Sequence, residues 1–230
     1  MDQQKESQRA PRTLVVGDVH GCYAELMDLL DKAALRGDDR IVFVGDLINR
    51  GPHNRKVLEF VQATRQTGTV IGNHEFNLLR YYQGHTHTLK SSYHKVINEL
   101  GADYRRHMDF IAKLPLTIEL DEAVVLHAGL RPGVSLDHQD PWEVVNLRGL
   151  PPTGRPWYEF YTGKKPIIFG HWVRQHPLVL KNVIGLDTGC VYGGKLSAVL
   201  LPSYNLISIP ARRIYAHKPA KCVQKNKAEV

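Results

Sequence analysis

Asp18 and His20 stand two residues apart in Gly17-Asp18-Val19-His20-Gly21, so both side chains can leave a strand end in the same direction. A hard carboxylate beside an imidazole suits Mn²⁺, Fe or Zn²⁺ better than Ca²⁺. The segment Gly45-Asp46-Leu47-Ile48-Asn49-Arg50-Gly51 sets a second carboxylate after the next apolar run. There Asp46 could bridge two ions about 3.5–4 Å apart, the spacing of two-metal hydrolases. Gly72-Asn73-His74-Glu75 follows a third run and offers the Asn73 amide oxygen, while His127 and His171 end later runs and supply nitrogen ligands to a second ion. A single aspartate at a strand end is commonly a helix cap, and a single histidine after an apolar run is commonly a satisfied core residue. Six such side chains sharing one topological place, the C-terminal end of a strand, point instead to the edge where α/β sheets bind ligands. The chemistry is that of two cations lowering the pKa of a water for in-line attack on a phosphoryl group. His74, next to Asn73, is placed to protonate the leaving group as general acid.

The elements that must hold these residues follow from hydrophobic periodicity. Thr13 to Val16, Arg40 to Val44 and Thr69 to Ile71 read as strands, and Tyr23 to Leu35, Lys56 to Arg65 and Phe76 to Tyr82 carry helical spacing. This β-α-β-α-β run implies parallel strands covered by helices. A polar, histidine-rich stretch from Gly84 to Ser92 leads into a further helical region ending near Leu114. Beyond it the chain is mostly β: Leu116 to Leu120, Ala123 to His127, Pro166 to Phe169, Val183 to Leu186, Leu196 to Leu201 and Leu206 to Ile209 are short strand-like runs. Pro132 to Lys165 reads as loops and Pro-rich turns lying over the site. One α/β domain is expected over residues 13–211, with flexible termini at 1–12 and 212–230, the latter basic and poor in apolar residues.

Composition narrows the function classes. The 230 residues suit a single domain, and the longest apolar runs are far too short to cross a bilayer. No apolar stretch near Met1 reads as a secretory signal. Three cysteines without metal-type pairing are expected as reduced thiols, which places the protein in a cytoplasm. The net charge of +7 draws polyanions such as phosphates, nucleotides or RNA, although a solvated surface with a basic tail has the same composition.

Taken together, the five motifs resemble the calcineurin-like metallophosphoesterase superfamily, in particular the branch that includes Ser/Thr protein phosphatases and symmetrical diadenosine tetraphosphatases. The resemblance covers residues 13 to 211. It implies a four-layer α/β/β/α sandwich of two mixed sheets flanked by helices, with the metals at one edge. It also implies a first ion on Asp18, His20 and Asp46, and a second on Asp46, Asn73, His127 and His171. Two divalent ions are expected, with Mn²⁺ the leading choice and Fe, Zn²⁺, Co²⁺ or Mg²⁺ as alternatives. The counterpart of Arg50 contacts the phosphate in that family, and a guanidinium is a planar fork for two phosphoryl oxygens.

The second motif departs from the protein-phosphatase pattern, which has aspartate where this chain has Asn49. An amide could still accept a hydrogen bond from His74 but could not stabilise an imidazolium by charge, so a lower His74 pKa is expected. The departure, and the segment from Gly185 to Leu196, resemble the diadenosine-tetraphosphatase-like branch. The substrate expected is therefore a dinucleoside polyphosphate, or a related nucleotide-capped RNA or polyphosphate. A serine/threonine protein phosphatase is the alternative, and a non-catalytic RNA-binding module a second one. Arg131 and Arg148 are candidates for outer phosphates. Tyr81, Tyr82 and Tyr93 could stack on a base or simply pack. Asp187 is expected to orient neighbouring backbone, not to bind metal. A monomer with no obligate protein partner and no membrane association is expected.

Overall fold

In the computed structural model, which describes residues 11–218, alternate residues of the central strands serve different cores. The chain runs β1 (Thr13–Val16), α1 (Tyr23–Ala33), β2 (Arg40–Phe43), α2 (Asn54–Ala63), β3 (Thr67–Thr69), α3 (Asn73–Tyr82), α4 (Ser91–Leu100) and α5 (Tyr104–Ile111). It continues through β4 (Thr117–Glu119), β5 (Val124–Leu126), α6 (Pro141–Asn146), β6 (Gly149–Leu150), β7 (Arg155–Pro156), β8 (Ile167–Phe169), β9 (Leu178–Leu180), β10 (Val183–Gly185), β11 (Lys195–Leu201) and β12 (Asn205–Pro210). One sheet has the order β12-β11-β1-β2-β3, and a second β4-β5-β8-β10-β9. Strands β1, β2 and β3 are mutually parallel, as are β5, β8 and β10.

Leu14, Val16, Ile41 and Phe43 face a core shared with Leu26 and Leu29 of α1 and Val57 and Leu58 of α2. Their neighbours Val15, Val42 and Val44 face Val125, Ile168 and Ile184 of the second sheet. The other face of that sheet, Val124, Leu126, Ile167 and Phe169, packs on Trp157 and on Val144 of α6. Period-two alternation in strands buried on both sides thus produces four layers, helices outside and two mixed sheets within. This is the four-layer sandwich that the resemblance implies. No helix among the described residues is long and apolar enough to cross a membrane.

Several boundaries differ from the sequence reading. The third strand lies at Thr67–Thr69, two residues earlier than expected, because its ladder with β2 pairs Ile41 with Thr67 and Phe43 with Thr69. The following helix begins at Asn73, not Phe76, so Asn73 and His74 occupy its first turn. Helix α6 falls inside the span read as loops; Asp140 caps it by accepting the Glu143 N–H at 3.0 Å, and Pro141 opens it. Strand β9 was not expected either. It is an edge strand with Val179 and Leu180 about half exposed, and such strands carry a weak pattern.

A flexible terminus was expected from residue 212, yet the first residues of that span are tied down. The Arg212 backbone N–H and the Tyr215 hydroxyl both donate to the buried Glu25, at 3.0 and 2.7 Å, and the Arg212 guanidinium pairs with Asp28. The expected mobility of residues 1–10 and 219–230 lies outside the described residues.

Candidate metal centre

Both sheets deliver side chains to one edge. Asp18 and His20 follow β1, Asp46 follows β2, Asn73 opens α3 after β3, His127 follows β5 and His171 follows β8. Close approach of these loops depends on small residues. A Cβ on Gly170 would overlap the Asp18 carboxylate, and one on Gly72 the Asp46 backbone. Five of the eight non-glycine residues with left-handed backbone among the described residues are here: His20, Asp46, Asn49, Arg50 and His171. Left-handed backbone costs free energy, so its concentration marks a place where the surrounding fold imposes geometry on side chains.

The imidazoles are oriented by the backbone behind them. His20 Nδ1 donates to the Ile48 carbonyl at 3.0 Å and His127 Nδ1 to the Val44 carbonyl at 2.8 Å. Each ring therefore turns a lone pair on Nε2 inward. His20 Nε2 lies 3.6 Å from Asp46 Oδ2, and His127 Nε2 lies 3.4 Å from Asp46 Oδ1. Asn73 Oδ1 is 3.0 Å from His127 Nε2 and 2.8 Å from His171 Nδ1. Asp46 is shared by two groups whose ligand atoms all fall within 4.8 Å: His20, Asp46 and His74 on one side, and Asp46, His127 and His171 on the other. Asp18 joins them through its carboxylate, which accepts the His171 N–H at 3.1–3.2 Å.

The protonation states fit two cations. Burial, reinforced by the charges of Asp187 and Asp46, pushes the Asp18 carboxyl well up, and burial pushes Asp46 up to about 7. Burial, with the Arg50 charge second, holds His20 well below its usual value, and burial lowers His127 to about 4. A neutral His127 has its one N–H committed to Val44, so its Nε2 lone pair faces the Asn73 oxygen, acceptor against acceptor. A divalent cation held by both residues would remove that conflict and stabilise the buried carboxylates. Mixed oxygen and nitrogen donors accept Mn²⁺, Fe, Zn²⁺ and their neighbours.

Around this cluster lie the groups that would meet substrate. Asn49 Oδ1 accepts the Arg50 backbone N–H at 2.8 Å, which leaves its NH₂ facing His74 Nδ1 at 2.7 Å. The amide therefore donates to His74, contrary to the expectation that it accepts. The network puts the single proton of a neutral His74 on Nε2, which is 4.0 Å from Asp46 Oδ2. Burial, then the neighbouring His20 and Arg50 charges, keeps His74 well below its usual pKa. Arg50 Nη1 reaches His20 Nε2 at 2.8 Å, with its guanidinium over the Tyr192 ring at 5.4 Å. Arg148 donates to the His171 carbonyl at 3.1 Å and so stands against the cluster, whereas the Arg131 guanidinium is held by both carboxylate oxygens of Glu143. Asp187 accepts the Gly189 N–H at 3.0 Å.

Glu75, without a role in the sequence reading, and Tyr93, considered there for base stacking or packing, both support the centre. Glu75 accepts the N–H groups of Asp46, Gly72 and Ile48 at 2.9–3.0 Å, pinning the second motif to the start of α3. Its place at the third position of a helix opening is a capping signal, but its reach to residues 46 and 48 has no local trace. Tyr93 is buried and stacks on the His74 ring at 5.5 Å.

The profile of the calcineurin-like phosphoesterase family matches residues 11–219. The chain is 34% identical over 230 residues to an asymmetrical bis(5′-nucleosyl)-tetraphosphatase, PrpE, of Halalkalibacterium halodurans, covering 86% of this chain and 94% of that one. It is 29% identical to a symmetrical bis(5′-nucleosyl)-tetraphosphatase of Vibrio cholerae, covering 80% and 92%. A crystal structure named as a candidate diadenosine tetraphosphatase superposes with a TM-score of 0.77 at 32% identity, covering 89% of this chain and 95% of the other.

Proposed function

The chain belongs to the calcineurin-like phosphoesterase family and is a metallophosphoesterase; from that premise we propose that it hydrolyses dinucleoside polyphosphates such as diadenosine tetraphosphate. The observation that carries the choice of bond is the orientation of Asn49. Its NH₂ faces His74, so a second proton on that imidazole would meet a donor instead of an acceptor. His74 then acts through Nε2–H as a neutral hydrogen-bond donor to the leaving oxygen. That suffices for a nucleotide phosphate, whose own second pKa is about 6. The alkoxide leaving from a phosphoserine needs a full proton, which an aspartate in place of Asn49 would favour.

Two divalent ions, when bound, would supply Lewis acidity and an activated water. Asp18, His20 and Asp46 would hold one, and Asp46, Asn73, His127 and His171 the other, with Mn²⁺ the first choice. Arg50 presents its guanidinium to phosphoryl oxygens, and Arg148, beside His171, serves the next phosphate along the chain. Arg131, occupied by Glu143, does neither. Every ligand comes from one chain, so a monomer suffices. Two buried free thiols, Cys22 and Cys190, suit a reducing cytoplasm.

The test is turnover of diadenosine tetraphosphate and of a phosphoserine peptide with Mn²⁺, with products separated by chromatography. Symmetrical cleavage yields two ADP, and asymmetrical cleavage ATP and AMP. Either pattern supports the reading, and turnover of the peptide alone contradicts it.

A further inference from the structure

The cluster opens into a cleft of about 660 Å³, within the range that encloses small ligands. Asn73, His74 and Arg50 form its inner end. Its outer wall is built by α3, by the segment 86–90 and by α6, and no carboxylate among the described residues lines it. Arg50, Arg80 and Lys90 make it cationic along its length, the field a polyphosphate needs.

At its outer end stands Trp142. Helix α6 buries Val144 and Val145, so Trp142 is not what packs it, and that residue remains 48% exposed. A side chain this large and apolar left in water costs free energy unless something covers it. The ring is also held in place. The Arg80 guanidinium lies 5.6 Å from its centroid and the Phe76 ring 6.2 Å away, with Arg80 itself 6.0 Å from Phe76. Asn77, Asn146 and Thr86 add hydrogen-bonding groups around this flat platform. Of the tyrosines considered for base stacking, Tyr93 is buried against His74, and Tyr82 packs edge-on against Tyr104 at 5.5 Å.

We propose that this outer arm is a nucleobase subsite, in which the base of a nucleoside polyphosphate stacks on Trp142 while Lys90 and Arg50 run alongside its phosphates. The assignment rests on the reading of the centre as a polyphosphate hydrolase, and adds where one nucleoside of the substrate is held. Stacking on an indole suits any base, so the arm should favour nucleotides over base-free phosphates without strong preference among bases.

The experiment compares wild type, Trp142→Ala and Trp142→Phe in Mn²⁺ on diadenosine tetraphosphate and on inorganic tetraphosphate. Trp142→Ala should raise KM for the dinucleotide by about 5- to 100-fold with kcat within about twofold, and leave inorganic tetraphosphate unaffected. Trp142→Phe should recover most of the loss. In parallel, ADP should quench tryptophan fluorescence of the wild type, pyrophosphate should not, and Trp142→Phe should abolish the ADP signal. An unchanged KM for the dinucleotide, an equal loss on both substrates, or ADP binding that ignores residue 142 overturns the subsite. Should the wild type fail to cleave the dinucleotide while ADP still quenches Trp142, the hydrolase reading falls and the subsite stands.

Discussion

At Asn49 the exchange of one carboxylate oxygen for an NH₂ group decides which ionisation state of His74 the site favours. Arg50 N–H occupies the amide oxygen, so His74 meets a donor, and its pKa lies well below the ordinary value for reasons of burial and neighbouring cations. Asn49→Asp supplies an acceptor that can serve Arg50 N–H and an imidazolium N–H together. An imidazolium donor is lost as pH rises through its pKa. The variant should therefore show a fall of rate with rising pH that the wild type, whose His74 donates as a neutral ring, does not show. It should also gain about tenfold on an alkyl phosphate relative to diadenosine tetraphosphate. Matching pH–rate profiles for the two proteins would contradict the pairing.

Among the elements, the segment after β12 does more than end the sheet. Tyr215 and the Arg212 backbone supply both donors to Glu25 Oε1, and Glu25 is fully buried on α1. Tyr215→Phe removes a donor from a buried carboxylate and should cost about 1–2 kcal/mol in urea unfolding, with hydrolysis intact in the folded protein. A stability equal to wild type would show that the contact is incidental. For the same reason a test of RNA binding by the basic terminus should truncate after residue 218, not at 212. That anchoring was not legible in the sequence, because Arg212, Arg213 and Lys218 have the composition of a solvated tail, and the partners of Arg212 and Tyr215 lie 184–190 residues away. The strands behind Asp18, Asp46, His127 and His171 were legible, since runs such as Thr13–Val16 are apolar on both faces and leave no competing period. Helix α6 was not. Its six residues open on Pro141 and are too short for a hydrophobic stripe, so no pattern singles out Trp142. The six candidate ligands could be read from motif alone, whereas the direction of the Asn49 bond and the reach of Glu75 depend on contacts between separate loops.

Across the whole molecule the candidate centre is the seam between two sheets. Asp18, His20 and Asp46 come from one sheet and His127 and His171 from the other, with Asn73 between them. Cations held there bind the folded chain and not the unfolded one. A hundredfold excess over Kd adds about 2.7 kcal/mol per site, or roughly 5–10 °C in Tm for a chain of this size. Mn²⁺ should give that rise over an EDTA-treated sample, and Asp46→Asn, which weakens both halves of the centre, should lose most of it. Equal Tm values in Mn²⁺ and EDTA would separate the cluster from metal binding. The most direct measurement is anomalous scattering at the manganese edge from crystals grown with MnCl₂. Two peaks about 3.5–4 Å apart, flanking the Asp46 carboxylate, are predicted. A map without a peak among Asp18, His20, Asp46, Asn73, His127 and His171 would contradict the account.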